Sequence, residues 1–195
     1  MVLSVVGPSG SSKVHGDTSG LGGEIRFEGA NNSVRFGRRC VSATLRLRVG
    51  PNVHVEIGDN CILGHLEIFA AGDNRVTIGA RSGFNGRVRL LMHEAGAISF
   101  GADCLIGQSD FTISDMHSII DAASGRRINP AGDIRLAEHV WVGEGALILK
   151  GVSIGADSIV GARAVVTGDI PPGSLAAGVP ARVIRSGVSW RHELR

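Results

Sequence analysis

Two residues 24 positions apart could carry chemistry in this chain: His117, in the phrase SDMHSIID, and Trp141, in HVWVGEG. An imidazole titrates near neutral pH and can accept the proton of a hydroxyl. An indole offers a flat apolar face and one N–H donor. His117 stands at the root of a polar stretch, SIIDAASGRRINPAGD over 118–133, whose Gly, Pro, Asn and Asp mark a long loop. Long loops on a rigid scaffold tend to carry binding or catalysis. Asp115 and Asp121 could orient the ring, although on a polar loop each serves equally well as a solvated carboxylate or a turn former. A loop histidine bonded only to backbone would fill the place of His117 as readily.

The other reactive residue types are less suggestive. His15, His54, His65, His93, His139 and His192 offer no pair spaced as H-x4-H, and no metal site is expected. Cys40, Cys61 and Cys104 share one repeat slot with Ser82 and Ser158, which reads as a small turn residue. Stacked strands lie about 4.8 Å apart, so Cys40 and Cys61 come within disulfide reach, but a reducing compartment disfavours the bridge. GPSGSSKV at 7–14 resembles a phosphate-binding loop, yet Ser12 replaces its second glycine and Val14 its Ser/Thr.

The scaffold that must position these residues is written as a period of six. Val142, Ile148, Ile154, Val160 and Val166 are aliphatic at constant spacing, and four residues after each stands Ala146, Val152, Ser158, Ala164 or Ile170. Six fits neither a helix nor one alternating strand. It suits a chain that coils as short strands joined by tight corners, three sixes to a turn, with glycine or another small residue at each corner. Upstream, FGRRCV, IGDNCI, IGARSG and FGADCL start at 36, 57, 78 and 100, which reads as an 18-residue coil plus a short loop. GANN, GPN, AGDN and HEAG supply those loops, and a weaker copy begins at His15-Gly16 in register with Phe36-Gly37. In this frame Trp141 occupies a corner-adjacent place from which its ring projects outward.

A chain of 195 residues suits one domain with a continuous core. With 29 glycines, aromatics at 4% and no tyrosine, that core must be stacked Val, Ile, Leu and Ala. Twenty basic residues against 18 acidic give a net charge of +2, so neither nucleic acid nor an anionic membrane is an expected partner. MVLSVVGPSG lacks a leader's charged and apolar regions, and no run is long enough to span a membrane. A cytoplasmic location is expected.

From SDMHSIID through HVWVGEGALILKGVSIGADSIVGARAVVTGDIPPGSLAAGVPARVIR, the chain resembles the left-handed β-helix, hexapeptide-repeat acetyltransferases. The likeness is greatest to the galactoside and maltose acetyltransferases and to bacterial sugar and capsule polysaccharide O-acetyltransferases. It covers about 76–186, and IPPGSLAAGVPARVIR is its most specific phrase. The fold it implies is all-β, a left-handed parallel β-helix of nine or ten coils. One loop is extruded at about 118–133, the coils over 1–35 are irregular, and a short tail covers 187–195.

The activity implied is transfer of acetyl from acetyl-CoA to a hydroxyl of a sugar, polysaccharide or precursor. His117 would be the general base, Trp141 would wall the cleft, and no acyl-enzyme would form. Coenzyme A contacts carry over to Gly143, Ala162, Thr167, Arg182 and Arg185, with Gly168 standing where the family often has lysine. The family's acceptor asparagine aligns with Arg87, with Asn85 two residues earlier. A homotrimer with active sites between subunits is implied as well. N-acetylation of an amino-sugar nucleotide, for which Arg87 would bind phosphate, and a non-catalytic β-helix scaffold are the alternatives.

Overall fold

A computed structural model describes residues 2–7 and 11–194. Met1, Arg195 and Pro8, Ser9 and Gly10 of the GPSGSSKV segment lie outside the described residues. Among the described residues there is no helix, and therefore none long and apolar enough to cross a membrane. Three sheets of eight, seven and six strands form, and along the coils each strand pairs with one two or three elements away, so the chain returns to the same sheet once per coil. With three flat sheets and coils as short as 18 residues, this is a left-handed parallel β-helix, the all-β class expected. The second sheet follows the first around the coil, and the third follows the second. The last pair, Ser174–Gly178 with Ala181–Ser186, is antiparallel and closes the third sheet.

The hexad aliphatics point inward. Val142, Ile148, Ile154, Val160 and Val166 are at most 2% exposed, and their followers Ala146, Val152, Ser158, Ala164 and Ile170 are buried beside them. Below the long loop Phe84, Phe100 and Phe111, one from each sheet, pack edge to face in the core at 5.3 and 5.1 Å.

About eight coils form rather than nine or ten. The registers Gly16 with Phe36, Phe36 with Ile57, Ile57 with Ile78 and Ile78 with Phe100 show why: upstream coils consume 20 to 22 residues, against the 18 from Leu136 to Ile154. The weak N-terminal copy exists as Lys13–Gly16, but Gly16 rather than His15 sits opposite Phe36, a shift of one from the expected register.

The corners between the second and third sheets also differ from expectation. Their left-handed residue is not the glycine but the one two places later: Arg39, Asn60, Arg81, Asp103, His139 and Asp157 have φ between 56 and 61°. Glycine is required for closeness instead. A Cβ on Gly58 would lie 2.6 Å from Ala80 N, and one on Gly101 would lie 2.4 Å from Glu138 N.

The next slot holds the cysteines as free thiols, Cys40, Cys61 and Cys104. Each S–H donates to the carbonyl of the following corner, Gly58, Gly79 and Ala137 respectively, as Ser82 does to Gly101 and Ser158 to Pro171. Burial pushes the Cys61 and Cys104 thiols up to about 11, so they stay protonated.

Candidate functional site

The long loop leaves between Ser109–Thr112 and Ile134–Leu136, at the edge where the first sheet turns into the second. Its neck closes where the Gly132 N–H donates to Ile113 O at 3.0 Å, so it opens several residues earlier than position 118 and contains His117 within its root. Asn129, only 7% exposed, organises that root. Its Nδ2 donates to His117 O and to Asp115 Oδ2, both at 2.8 Å, while its Oδ1 accepts the Ile119 N–H at 2.7 Å. Met116 adopts φ 62° and donates its N–H to Ser114 Oγ, which turns His117 outward. The His117 side chain is exposed, and its ring makes no hydrogen bond among the described residues.

Side chains from neighbouring coils along the same edge hold the loop down. Lys150 Nζ donates to Asp115 Oδ2 at 2.5 Å, one coil further on. One coil back, Glu94 accepts both Arg127 amino groups at 2.6 and 2.7 Å and the Ser114 hydroxyl at 2.5 Å. The Asp115 carboxylate therefore holds the Asn129 and Lys150 side chains rather than the His117 ring, and Asp121 caps a turn through Ser124.

Arg127, and after it Ser114, holds the Glu94 carboxyl down at about 2, from an ordinary 4.5. A depressed carboxylate contributes stability that is complete above its unfolded value and is lost as pH falls through its folded one. The protection of amides 116–129, corrected for the intrinsic pH dependence of exchange, should thus fall between about pH 4.5 and 2, and Glu94→Gln should remove most of that pH dependence. Equal protection at pH 6 and 2.5 would show that this ion pair does not hold the loop.

Trp141 lies on a different part of the coil. It stands in the third sheet, 40% exposed, in register between Leu105 and Ile159. Its outer face borders an open cavity of about 610 Å³ that Asn85, Gly143, Ala162 and Leu175 also line. The cavity floor is narrow because successive coils touch there: a Cβ on Gly143 would fall 2.7 Å from Ala162 N. Glu144 also borders it, a carboxylate that the sequence pattern does not single out.

The remaining candidates divide between these places. Thr167 and Gly168 follow Val165–Val166 on the edge that carries His117 and Lys150. Arg182 and Arg185 are exposed on Ala181–Ser186, beside the third sheet's end. Arg87 opens a first-sheet strand, pairs with Glu67 at 2.9 Å, and faces a separate groove with Arg46. In one chain, then, His117, Thr167 and Gly168 occupy one edge, while Asn85, Trp141, Gly143 and Ala162 occupy the third sheet and its turn into the first. The first sheet separates the two groups.

Residues 133–168 match the family model described as bacterial transferase hexapeptide (six repeats). Over 97% of its length the chain superposes on the crystal structure of the polySia-specific acetyltransferase NeuO, with a TM-score of 0.81, 30% identity and 85% of that chain covered. The chain belongs to the hexapeptide-repeat acetyltransferase family. Within this family it is 34% identical over 131 residues to the polysialic acid O-acetyltransferase of Neisseria meningitidis, and 33% over 125 residues to that of Escherichia coli O1:K1. Those stretches take in 66% and 64% of this chain but 60% and 40% of the two relatives' own lengths. Galactoside O-acetyltransferase of Escherichia coli K12 is 52% identical over 52 residues, 27% of this chain and 26% of the relative. The family-model span includes Trp141, Gly143, Ala162, Thr167 and Gly168, while His117, Asn85, Arg182 and Arg185 lie outside it.

Proposed function

We propose that this acetyltransferase-family chain transfers acetyl from acetyl-CoA to a hydroxyl of a polysaccharide or its precursor, in the cytoplasm where acetyl-CoA is made. The observation that carries the reading is the match along nearly the whole chain to a polySia-specific acetyltransferase. His117 takes the hydroxyl proton as the oxygen attacks the thioester carbonyl. The C–O bond forms, the C–S bond breaks, and the proton passes to the departing thiolate. The Trp141 indole N–H and backbone amides of the cavity supply donors for the oxyanion, with Asn85 nearby. Gly143 and Ala162 form the shelf for the pantetheine arm, Thr167 and Gly168 border it from the other edge, and Arg182 and Arg185 meet the phosphates. A direct attack needs no enzyme nucleophile, which agrees with cysteines that are all buried away from the cavity.

The same division of groups supports a homotrimer. His117 and Trp141 sit on separate edges of one coil, so a site needs one edge from each of two copies. Along the parallel coils the outward residues of the third sheet are apolar, with Val41 44% and Ile62 56% exposed and Leu105, Trp141, Ile159 and Leu175 in line with them. The first sheet's outward ladder instead alternates Glu24, Arg46, Glu67, Arg89 and Asp110. An apolar face of this extent is suited to a second copy.

Thiol release from acetyl-CoA against polysialic acid, a neutral galactoside, glucosamine and an amino-sugar nucleotide tests the proposal. We expect release with a hydroxyl acceptor and a product that hydroxylamine cleaves, as it does an ester. A hydroxylamine-stable product on an amino sugar would instead establish N-acetylation, and release no faster than in buffer with every acceptor would leave only the scaffold. Arg87, already committed to Glu67 and turned from the cavity, lends the nucleotide acceptor no support.

A further inference from the structure

The C-terminal tail carries a side chain that a loose extension has no reason to bury. Trp190 is 6% exposed, while Ser189 and Arg191 on either side of it are exposed. After the antiparallel strand the chain crosses the edge between the second and third sheets. It is pinned there by the Val188 N–H on Gly173 O at 2.9 Å and by Ser189 Oγ on Asp157 Oδ1 at 3.0 Å. The Trp190 indole then lies flat on the His139 imidazole, with centroids 4.4 Å apart and planes 11° from parallel. Its Nε1–H donates to His139 O at 2.8 Å, and His192 closes its edge at 5.0 Å.

His139 is already constrained by its left-handed backbone and by a 2.8 Å contact from Nδ1 to Asp157. Two residues later comes Trp141, whose indole is 6.0 Å from that of Trp190 at 47°. Along the sheet Trp141 has Leu105 and Ile159 as neighbours, and on the corner side it has Trp190. The strand that carries it is two residues long, and an outward ring on so short a strand is otherwise free to change rotamer.

We propose that Trp190 is a positioning residue, with the folded-back tail fixing the Trp141 indole as a ready wall of the donor cleft. The proposal rests on the reading of Trp141 as that wall. A wall ordered beforehand spares the donor the entropy of immobilising it on binding, so the benefit falls on affinity and not on the chemical step.

The chain has two tryptophans, so replacing Trp190 leaves Trp141 as the single indole emitter. Trp190→Ala should raise the KM for acetyl-CoA roughly three- to tenfold with kcat changed less than about twofold. In that variant Trp141 emission should become more depolarised and more readily quenched by acrylamide than in Trp190→Phe. The phenylalanine still stacks on His139 and should restore most of the KM. If the alanine and phenylalanine variants show the same Trp141 anisotropy and a wild-type KM, the tail does not position the ring, even if melting shows that it adds stability. Should no acceptor support turnover, the acetyl-transfer reading fails on that count, and the anisotropy comparison still decides whether Trp190 orders Trp141. If Trp190→Ala does not fold, Trp190→Phe and Trp190→Leu carry the comparison, with the same readouts and the same losing result.

Discussion

Replacing His117 by alanine should lower kcat by roughly 10²- to 10⁴-fold while leaving the KM for acetyl-CoA within about twofold, the pattern of a lost proton transfer. The structure makes this variant informative, because the loop root does not depend on the His117 side chain. Asn129 holds the His117 carbonyl and the Asp115 carboxylate, and Lys150 and Glu94 secure the neighbouring segments. The imidazole projects exposed and bonds nothing among the described residues, so alanine removes a reagent and not a support. Asn129→Ala should behave differently, loosening the loop and impairing the acceptor and the chemical step together. The wild-type rate should rise with pH as one group loses a proton, and that limb should vanish from the residual activity of His117→Ala. Near-normal turnover of His117→Ala with a verified acceptor would end the general-base assignment.

The coil could be read from the sequence because the helix repeats its demands. Every sixth residue meets the same core, and corner glycines such as Gly58, Gly79 and Gly101 meet the backbone of the next coil, so Val142 to Val166 and the blocks at 36, 57, 78 and 100 show the pattern plainly. The left-handed corner residue leaves no such trace, because side chains as different as those of Arg39, Asn60, Arg81, Asp103, His139 and Asp157 all occupy it. Coil number depends on how many residues each loop absorbs, which composition does not fix.

Of the candidate site, His117 and Trp141 each break a local rule, and the family resemblance is what supplies their proposed roles. His117 interrupts the hexads, and Trp141 puts a large ring at a place meant for the outside. The residues that hold them could not be named this way. Glu94, Asn129 and Lys150 lie 10 to 35 residues from the groups they bind, where only the folding of the loop and the stacking of coils bring them together. Arg87 illustrates the converse, since alignment to a family place puts it near the acceptor while the alternation of a first-sheet strand turns it to Glu67. Trp190 looks like part of a polar tail until the folding of that tail over His139 is known.

Two inactive variants should restore one another if a site is built from two copies. His117→Ala spoils the edge that carries the base and leaves the cavity intact. Ala162→Trp does the reverse, because Ala162 is exposed on the cavity wall and a large ring there fills the space meant for the donor. Co-expressed with different tags and purified through both, every mixed trimer has either two subunits of the first kind or two of the second. Around a three-membered ring, each composition contains one junction where an intact His117 meets an intact cavity. The doubly tagged protein should therefore show about one third of the wild-type rate, from parents that are each at least 10²-fold impaired. A site completed within one chain predicts no such recovery, because every chain in the mixture carries a lesion. Mixed assemblies as inactive as their parents, or light scattering that shows a monomer with full activity, would refute the shared site and require His117 and Trp141 to meet by movement of the loop across the first sheet.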